Sequence, residues 1–208
     1  MQKSPRHALI SIPKVFNLNP FHGYLLKIIT GNPGTGKHTI AKSISKKLDL
    51  EMIDINKIAI EQKLVKKNDG VLDVDVNKLK KIIDKEASKN SILVGHLAPY
   101  VISAKNVEVA VVLRKSPYRL QSTYKKRKYS SKKSLENLGS EILGITYYDT
   151  IREFGQKKTF QIDTSSRTIS DTVKKVESIF RKTRTKDDKV DWLQMVLKKG
   201  DMQKFFPY

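Results

Sequence analysis

The apolar run YLLKIIT (24–30) leads straight into the glycine-rich stretch GNPGTGKHT (31–39), which is followed by TIAKSISKKL (39–48) with Ile40, Ile44 and Leu48 one helical turn apart. No other segment restricts the fold so tightly. Consecutive main-chain N–H groups can converge on anionic oxygens only where side chains stay clear, as Gly31, Gly34 and Gly36 permit. Lys37 adds a mobile ammonium, and the N-terminus of the following helix adds partial positive charge. The segment is therefore expected to form a buried strand, a phosphate-binding loop and an amphipathic helix.

The rest of the chain keeps alternating strand and helix patterns. EMIDI (51–55), SILV (91–94), VEVAVVL (107–113) and TFQID (159–163) read as strands. Between them, Asn68-Asp69-Gly70 signals a turn, and Val76, Leu79, Ile82 and Ile83 recur at helical spacing. Ser116-Pro117 opens another helix, residues 134–154 read as one long helix, and 168–182 as a helix with Ile169, Val173, Val176 and Ile179/Phe180 on one side. Such alternation predicts an α/β fold of three layers, a parallel five-stranded sheet with helices on both faces. Residues 1–22, with Pro5, Pro13 and Pro20 among basic residues, are read as a basic N-terminal extension, 23–182 as the main domain, and 183–208 as a charged linker and helical tail. In that tail Val190, Leu193, Met195, Val196 and Leu197 line a short helix stopped by Gly200, either packed back on the body or docked on a partner.

Composition narrows the setting. Without cysteine the 208-residue chain has no disulfide framework and no cysteine-based zinc site, and AVVL (110–113) is typical of its short apolar runs, so a cytoplasmic protein without a membrane partner is expected. Lys and Arg number 41 against 21 Asp and Glu, a balance of +20 that favours polyanions or reflects adaptation to a particular intracellular milieu or a lysine-rich proteome. The run KKRKYSSKK (125–133), flanked by Tyr124 and containing Tyr129, reads either as a nucleotide-covering segment, also suited to RNA, or as a solvated face.

His38 stands where a serine or threonine is usual after the lysine, and imidazole is a poor ligand for Mg²⁺; Thr39 supplies a hydroxyl one residue on. With TGNPGTGKHT (30–39), VLR (112–114), RKYSSKKSLEN (127–137) and Glu141-Ile142, residues 24 to about 180 resemble the adenylate kinase isoenzyme 6 family. The resemblance implies a P-loop kinase fold with an AMP-binding segment at about 54–77 and a short lid at about 126–136. It also implies transfer of the ATP γ-phosphoryl group to AMP with Mg²⁺, ATPase activity, and a role in small ribosomal subunit and rRNA maturation alongside a ribosomal protein or pre-rRNA. Carried over by position, Gly34, Gly36, Lys37, His38 and Thr39 contact phosphates, Thr39 serves the metal, and Arg127 is the lid arginine on ATP. Arg167 lies near the adenine ring, and His96 is implicated in ATP hydrolysis.

Two departures stand out. Lys128 replaces a usual glycine, and Val94 replaces an acid two residues before His96. Either Asp54, Asp73 or Asp75 substitutes for that acid, or the nucleotide and Thr39 hold the magnesium; Asp75 also suits a helix N-cap. Turnover is then expected to be reduced with nucleotide binding kept. The alternative reading is an assembly factor switched by nucleotide with little kinase activity, and a different phosphoryl acceptor is also compatible. His96 is read as functional or as a hydrogen-bonded structural residue, and Arg114 as a further ligand candidate or a surface residue at a strand end.

Overall fold

The computed structural model describes residues 25–68, 71–183 and 186–207; the extension read at 1–22 and Asp69-Gly70 of the turn signal lie outside the described residues. In chain order the elements are β1 (Leu26–Thr30), α1 (Lys37–Leu48), β2 (Glu51–Asp54), α2 (Ile55–Glu61), β3 (Val65–Asn68), β4 (Val71–Val74), α3 (Val76–Glu86) and β5 (Ser91–Val94). There follow α4 (Ala98–Val101), β6 (Val107–Arg114), α5 (Pro117–Lys126), α6 (Ser131–Ile142), α7 (Ile145–Phe154), β7 (Thr159–Asp163), α8 (Ile169–Phe180), α9 (Trp192–Lys198) and α10 (Met202–Phe205).

The main sheet has five strands in the order β2-β5-β1-β6-β7, all paired in parallel. Parallel neighbours need helical crossovers, so both faces are covered. Alternation along each strand sorts the core: Ile28 and Leu93 join one apolar cluster with α3, α4 and Phe154, while Ile29, Ile92, Val94, Val111 and Leu113 join another with α1 and α8. The central strand β1 has β5 on one side and β6 on the other. Its chain continues toward β2 on the β5 side, so the loop at its carboxyl end sits at the point where connections diverge, which is where open α/β sheets bind ligands.

Several local expectations are corrected. The single helix predicted over 134–154 is two, α6 and α7, separated at Gly144, whose φ of 70° an L-residue adopts only at a cost. Ile169 and Leu197 are exposed rather than on the buried faces of their helices, while Thr172 and Val196 in the same turns are buried. Between β2 and α3 the structure adds α2, capped by Asp54, and an antiparallel hairpin β3–β4. Asp75 caps α3 by accepting from the Lys78 amide.

A third apolar cluster forms from α5, α6 and the tail, with Leu120, Tyr124, Leu138 and Ile142 meeting Trp192, Val196 and Phe205. The tail thus packs on the body. Trp192, Val196 and Phe205 are its buried anchors, and the spacing of the aliphatic side chains does not reveal Trp192. Among the described residues, no helix is long and apolar enough to cross a membrane.

Candidate active site

The 31–39 loop is shaped by its glycines and clamped by side chains from distant elements. Gly31 has φ 136°, and a Cβ built there would stand 2.3 Å from the Leu113 carbonyl oxygen, so no side chain fits. Gly36, at φ 98°, has open space around it on the ligand side and forms the N-cap of α1. Tyr124 Oη donates to the Pro33 carbonyl at 2.7 Å, and Thr164 Oγ1 donates to the Thr35 carbonyl at 3.0 Å. The Thr35 hydroxyl closes the loop on itself by donating to the Asn32 carbonyl at 2.9 Å.

A cavity of about 500 Å³ opens over this loop. Gly34, Gly36, Lys37, His38 and Thr39 line it from below, Asn56 and Ile60 from α2, His96 from the end of β5, and Arg127 and Tyr129 from the α5–α6 connection. It therefore gathers the phosphate, lid and hydrolysis residues carried over from the resemblance, but not Arg167. That residue lies apart from this wall, with its guanidinium on Asp188 at 3.1 Å and 3.2 Å and its Nε donating to the Asp163 carbonyl at 3.2 Å. A larger and more open hollow, about 670 Å³, runs beside Trp192 and Lys199 and includes no part of the loop.

Charge in the cavity is concentrated and poorly solvated. The Lys37 ammonium is buried, with its Nζ 3.3 Å from the Asn32 carbonyl. Burial first, and the nearby Arg127 charge second, pull its pKa from 10.5 to about 8. Such an ammonium gains strongly from an incoming polyanion. Arg127, exposed at the C-cap of α5, lines the cavity as well.

His38 points sideways rather than taking the place of a hydroxyl. Its Nε2 lies 2.9 Å from Asp54 Oδ2, and Asp54 Oδ1 also accepts the Asn56 and Lys57 amides at 3.1 Å each. Burial pushes the Asp54 carboxyl up, yet the hydrogen bonds from His38 and these amides win and hold it below the ordinary carboxylate range. Of the three acids considered for the missing one, Asp54 is the one at the site: it is registered opposite Val94 on the neighbouring strand. Val94 itself is fully buried in the apolar cluster beneath α1.

His96 sits at the cavity wall with its Nδ1 2.7 Å from Asn56 Nδ2. Burial, with the Lys37 and His38 charges, depresses its pKa to about 4, so the ring is neutral near pH 7. When the Asn56 amide donates, Nδ1 is the acceptor and the ring proton stays on Nε2. The sequence reading covered this stretch only as part of the 54–77 segment and did not single out Asn56, which belongs to no motif, nor the short helix α2 that carries it. Tyr129 was visible only as an aromatic in a basic run. Here its ring stacks on Tyr124 at 5.2 Å and has the Lys133 ammonium 4.5 Å away.

Arg114 is corrected on one of its expected readings, since it is not a surface cap, and it does not line the cavity. It is buried, with Nε donating to Glu141 Oε1 at 2.8 Å and Nη1 to Gln161 Oε1 at 3.0 Å.

The sheet order, the glycine loop and the cavity together define a P-loop protein of the kinase fold class. A family model described as an AAA domain matches residues 28–144. A protein of Methanocaldococcus jannaschii named "Putative adenylate kinase" is 32% identical over 171 residues, covering 80% of this chain and 92% of the relative. One of the same name from Pyrococcus abyssi is 29% identical over 173 residues, covering 82% and 93%. The chain belongs to this archaeal adenylate kinase family, the one to which its loop and lid sequences pointed. Among solved structures, a shikimate kinase from Acinetobacter baumannii superposes with a TM-score of 0.51 at 16% identity over 79% of this chain and 97% of that one. A sugar kinase from Janibacter sp. gives 0.52 at 12% identity over 76% and 95%. At such identities the likeness is one of fold.

Proposed function

We propose that the chain is a nucleoside monophosphate kinase that transfers the γ-phosphoryl group of ATP to AMP, giving two ADP. One observation carries this reading: a single cavity joins the glycine loop, a buried and poorly solvated Lys37, the Arg127 guanidinium and the α2 side chains of the segment assigned to AMP. In the transfer an oxygen of the AMP phosphate attacks the γ-phosphorus while the bond to the β,γ-bridging oxygen breaks, and no proton has to move. The work left to the protein is positioning and charge stabilisation. Loop amides hold the β- and γ-phosphates, Lys37 and Arg127 balance the charge spread over the transferred group, and neutral His96 offers a hydrogen bond from the wall.

Residues 126–136 act as the lid and 54–77 as the AMP-binding segment. Closure of Arg127 and Tyr129 over the nucleotide excludes water, and a lid this short leaves some hydrolysis, hence ATPase activity. Mg²⁺ fits the donor set only as a partner of the nucleotide: no group of three His, Asp or Glu able to hold a metal occurs among the described residues, while the exposed Thr39 hydroxyl lines the cavity. Thr39 would hold the ion, which would neutralise charge on the β- and γ-oxygens. Asp54, beside His38, is an acid placed to support it.

Val94 in place of an acid favours a second reading, an assembly factor that binds ATP and hydrolyses it slowly. The exposed lysines at 125, 126, 128, 132 and 133, at the start of the lid and within it, suit pre-rRNA or a ribosomal protein complex as the partner in a cytoplasmic maturation step. ADP formation from ATP, measured with and without AMP, separates the two. AMP-stimulated turnover that falls at least about 100-fold in Lys37→Ala is the expected result. Slow hydrolysis indifferent to AMP would overturn the kinase reading in favour of the switch.

A further inference from the structure

The C-terminal tail lies beyond the segment matched by the family model, and no tail residue lines the nucleotide cavity. It nevertheless reaches the phosphate loop through one buried carboxylate. Glu141 is fully buried, and its Oε1 accepts three donors: Arg114 Nε at 2.8 Å, the Lys115 amide at 3.0 Å and the Trp192 indole Nε1 at 3.0 Å. Its Oε2 accepts Asn32 Nδ2 at 2.8 Å. Asn32 is in turn fixed at its Oδ1 by Thr146 Oγ1 at 3.0 Å and Ser140 Oγ at 3.2 Å. The main-chain carbonyl of this same asparagine receives the Lys37 ammonium at 3.3 Å and the Thr35 hydroxyl at 2.9 Å.

A buried carboxylate with four donors has little rotational freedom, because turning it to serve one donor starves another. The indole N–H, with Arg114 and the Lys115 amide, therefore fixes where Oε1 points, and with it where Oε2 holds Asn32. We propose that Trp192 and Glu141 are positioning residues for the phosphate loop. The tail indole fixes Glu141, Glu141 fixes Asn32, and Asn32 fixes the resting place of Lys37, so the tail tunes ATP binding without touching ATP. The proposal rests on the reading of the 31–39 loop as the ATP site, but not on the identity of the phosphoryl acceptor.

The test compares Trp192→Phe, which keeps an aromatic ring and deletes the donor, with Val196→Ala, which opens a cavity in the same tail–α6 core away from Glu141. Mg-ATP dissociation constants are measured by calorimetry on the full chain, alongside thermal midpoints without nucleotide. The expected pattern is a Kd raised roughly three- to ten-fold in Trp192→Phe, the scale of one hydrogen bond. Val196→Ala lowers the thermal midpoint but leaves Kd within about two-fold. Combining Trp192→Phe with Asn32→Ala adds little to the effect of Asn32→Ala alone, since both break one chain of contacts. An unchanged Kd in Trp192→Phe, or an equal loss of affinity in Val196→Ala, overturns the proposal and assigns the tail a purely structural role; where Asn32→Ala does not fold, these two variants decide. Wild-type protein that binds no Mg-ATP overturns the site reading as well. Protein that binds ATP but does not phosphorylate AMP overturns only the kinase reading.

Discussion

Replacing Lys37 by methionine should abolish nucleotide binding and yet make the empty protein more stable. In the ligand-free fold the ammonium is buried against a single carbonyl and repelled by Arg127, and its pKa falls from 10.5 to about 8. Below about pH 8 both folded and unfolded chains carry the proton, so the folded state bears the whole penalty of the buried charge, about 3 kcal/mol for a shift of this size. Between about pH 8 and 10.5 the folded chain releases the proton while the unfolded chain keeps it, so the penalty is relieved and this group's contribution to stability improves as pH rises. Lys37→Met removes the charge and keeps the length of the side chain. At pH 7 it should gain up to about 3 kcal/mol, and this advantage should shrink by pH 10. Guanidinium denaturation of both proteins without nucleotide, at pH 7 and pH 10, measures the gap; other titrating groups cancel in the difference. A variant less stable than wild type at pH 7, or a gap that does not close at high pH, would refute the reasoning that the lysine is held charged at the expense of the fold.

The remaining predictions concern single positions. Gly31→Ala should fail to fold, because its Cβ meets the Leu113 carbonyl at 2.3 Å, whereas Gly36→Ala, with open space around it, should fold at a cost of about 1–2 kcal/mol and lose ATP affinity; equal stability of the two in denaturant melts would refute this. Lys128 adopts φ 54°, which explains why a glycine suits that place, and Lys128→Gly should stabilise the protein by about 0.5–1 kcal/mol in the same melts, with a loss counting against it. His96, with its pKa near 4, should show no NMR titration of its ring protons between about pH 5.5 and 8, and a midpoint near the ordinary 6.5 would contradict its burial. Val94→Asp should cost about 1–3 kcal/mol by burying an acid in an apolar cluster and raise ATP turnover several-fold; unchanged turnover beside normal wild-type activity would discard the missing acid as the limit.

The parts of the site legible in the sequence are those whose physics is local. Gly31, Gly34 and Gly36 announce a loop that needs positive φ and close approach, and the structure gives φ values of 136°, 86° and 98°. Helix periodicity likewise placed Ile40 and Ile44 on one face, because each side chain's direction follows from its neighbours' spacing, whereas the division of Ile28 and Ile29 between two core clusters came only with the structure. What could not be read was which distant group answers each buried charge. Arg114 looks from the sequence like a ligand contact or a surface cap, and only packing shows it held by Glu141. His38 and Asp54 meet because β2 runs beside the loop's sheet partner β5, and Asn32 reaches Glu141 across 109 positions of chain. The sequence by itself therefore determined the phosphate loop, the layered α/β core and the family. The tertiary structure alone decided the partners of Glu141, the seat of Trp192 and the silence of His96 near neutral pH, since desolvation and hydrogen-bond geometry belong to groups brought together by folding and not to residues adjacent along the chain.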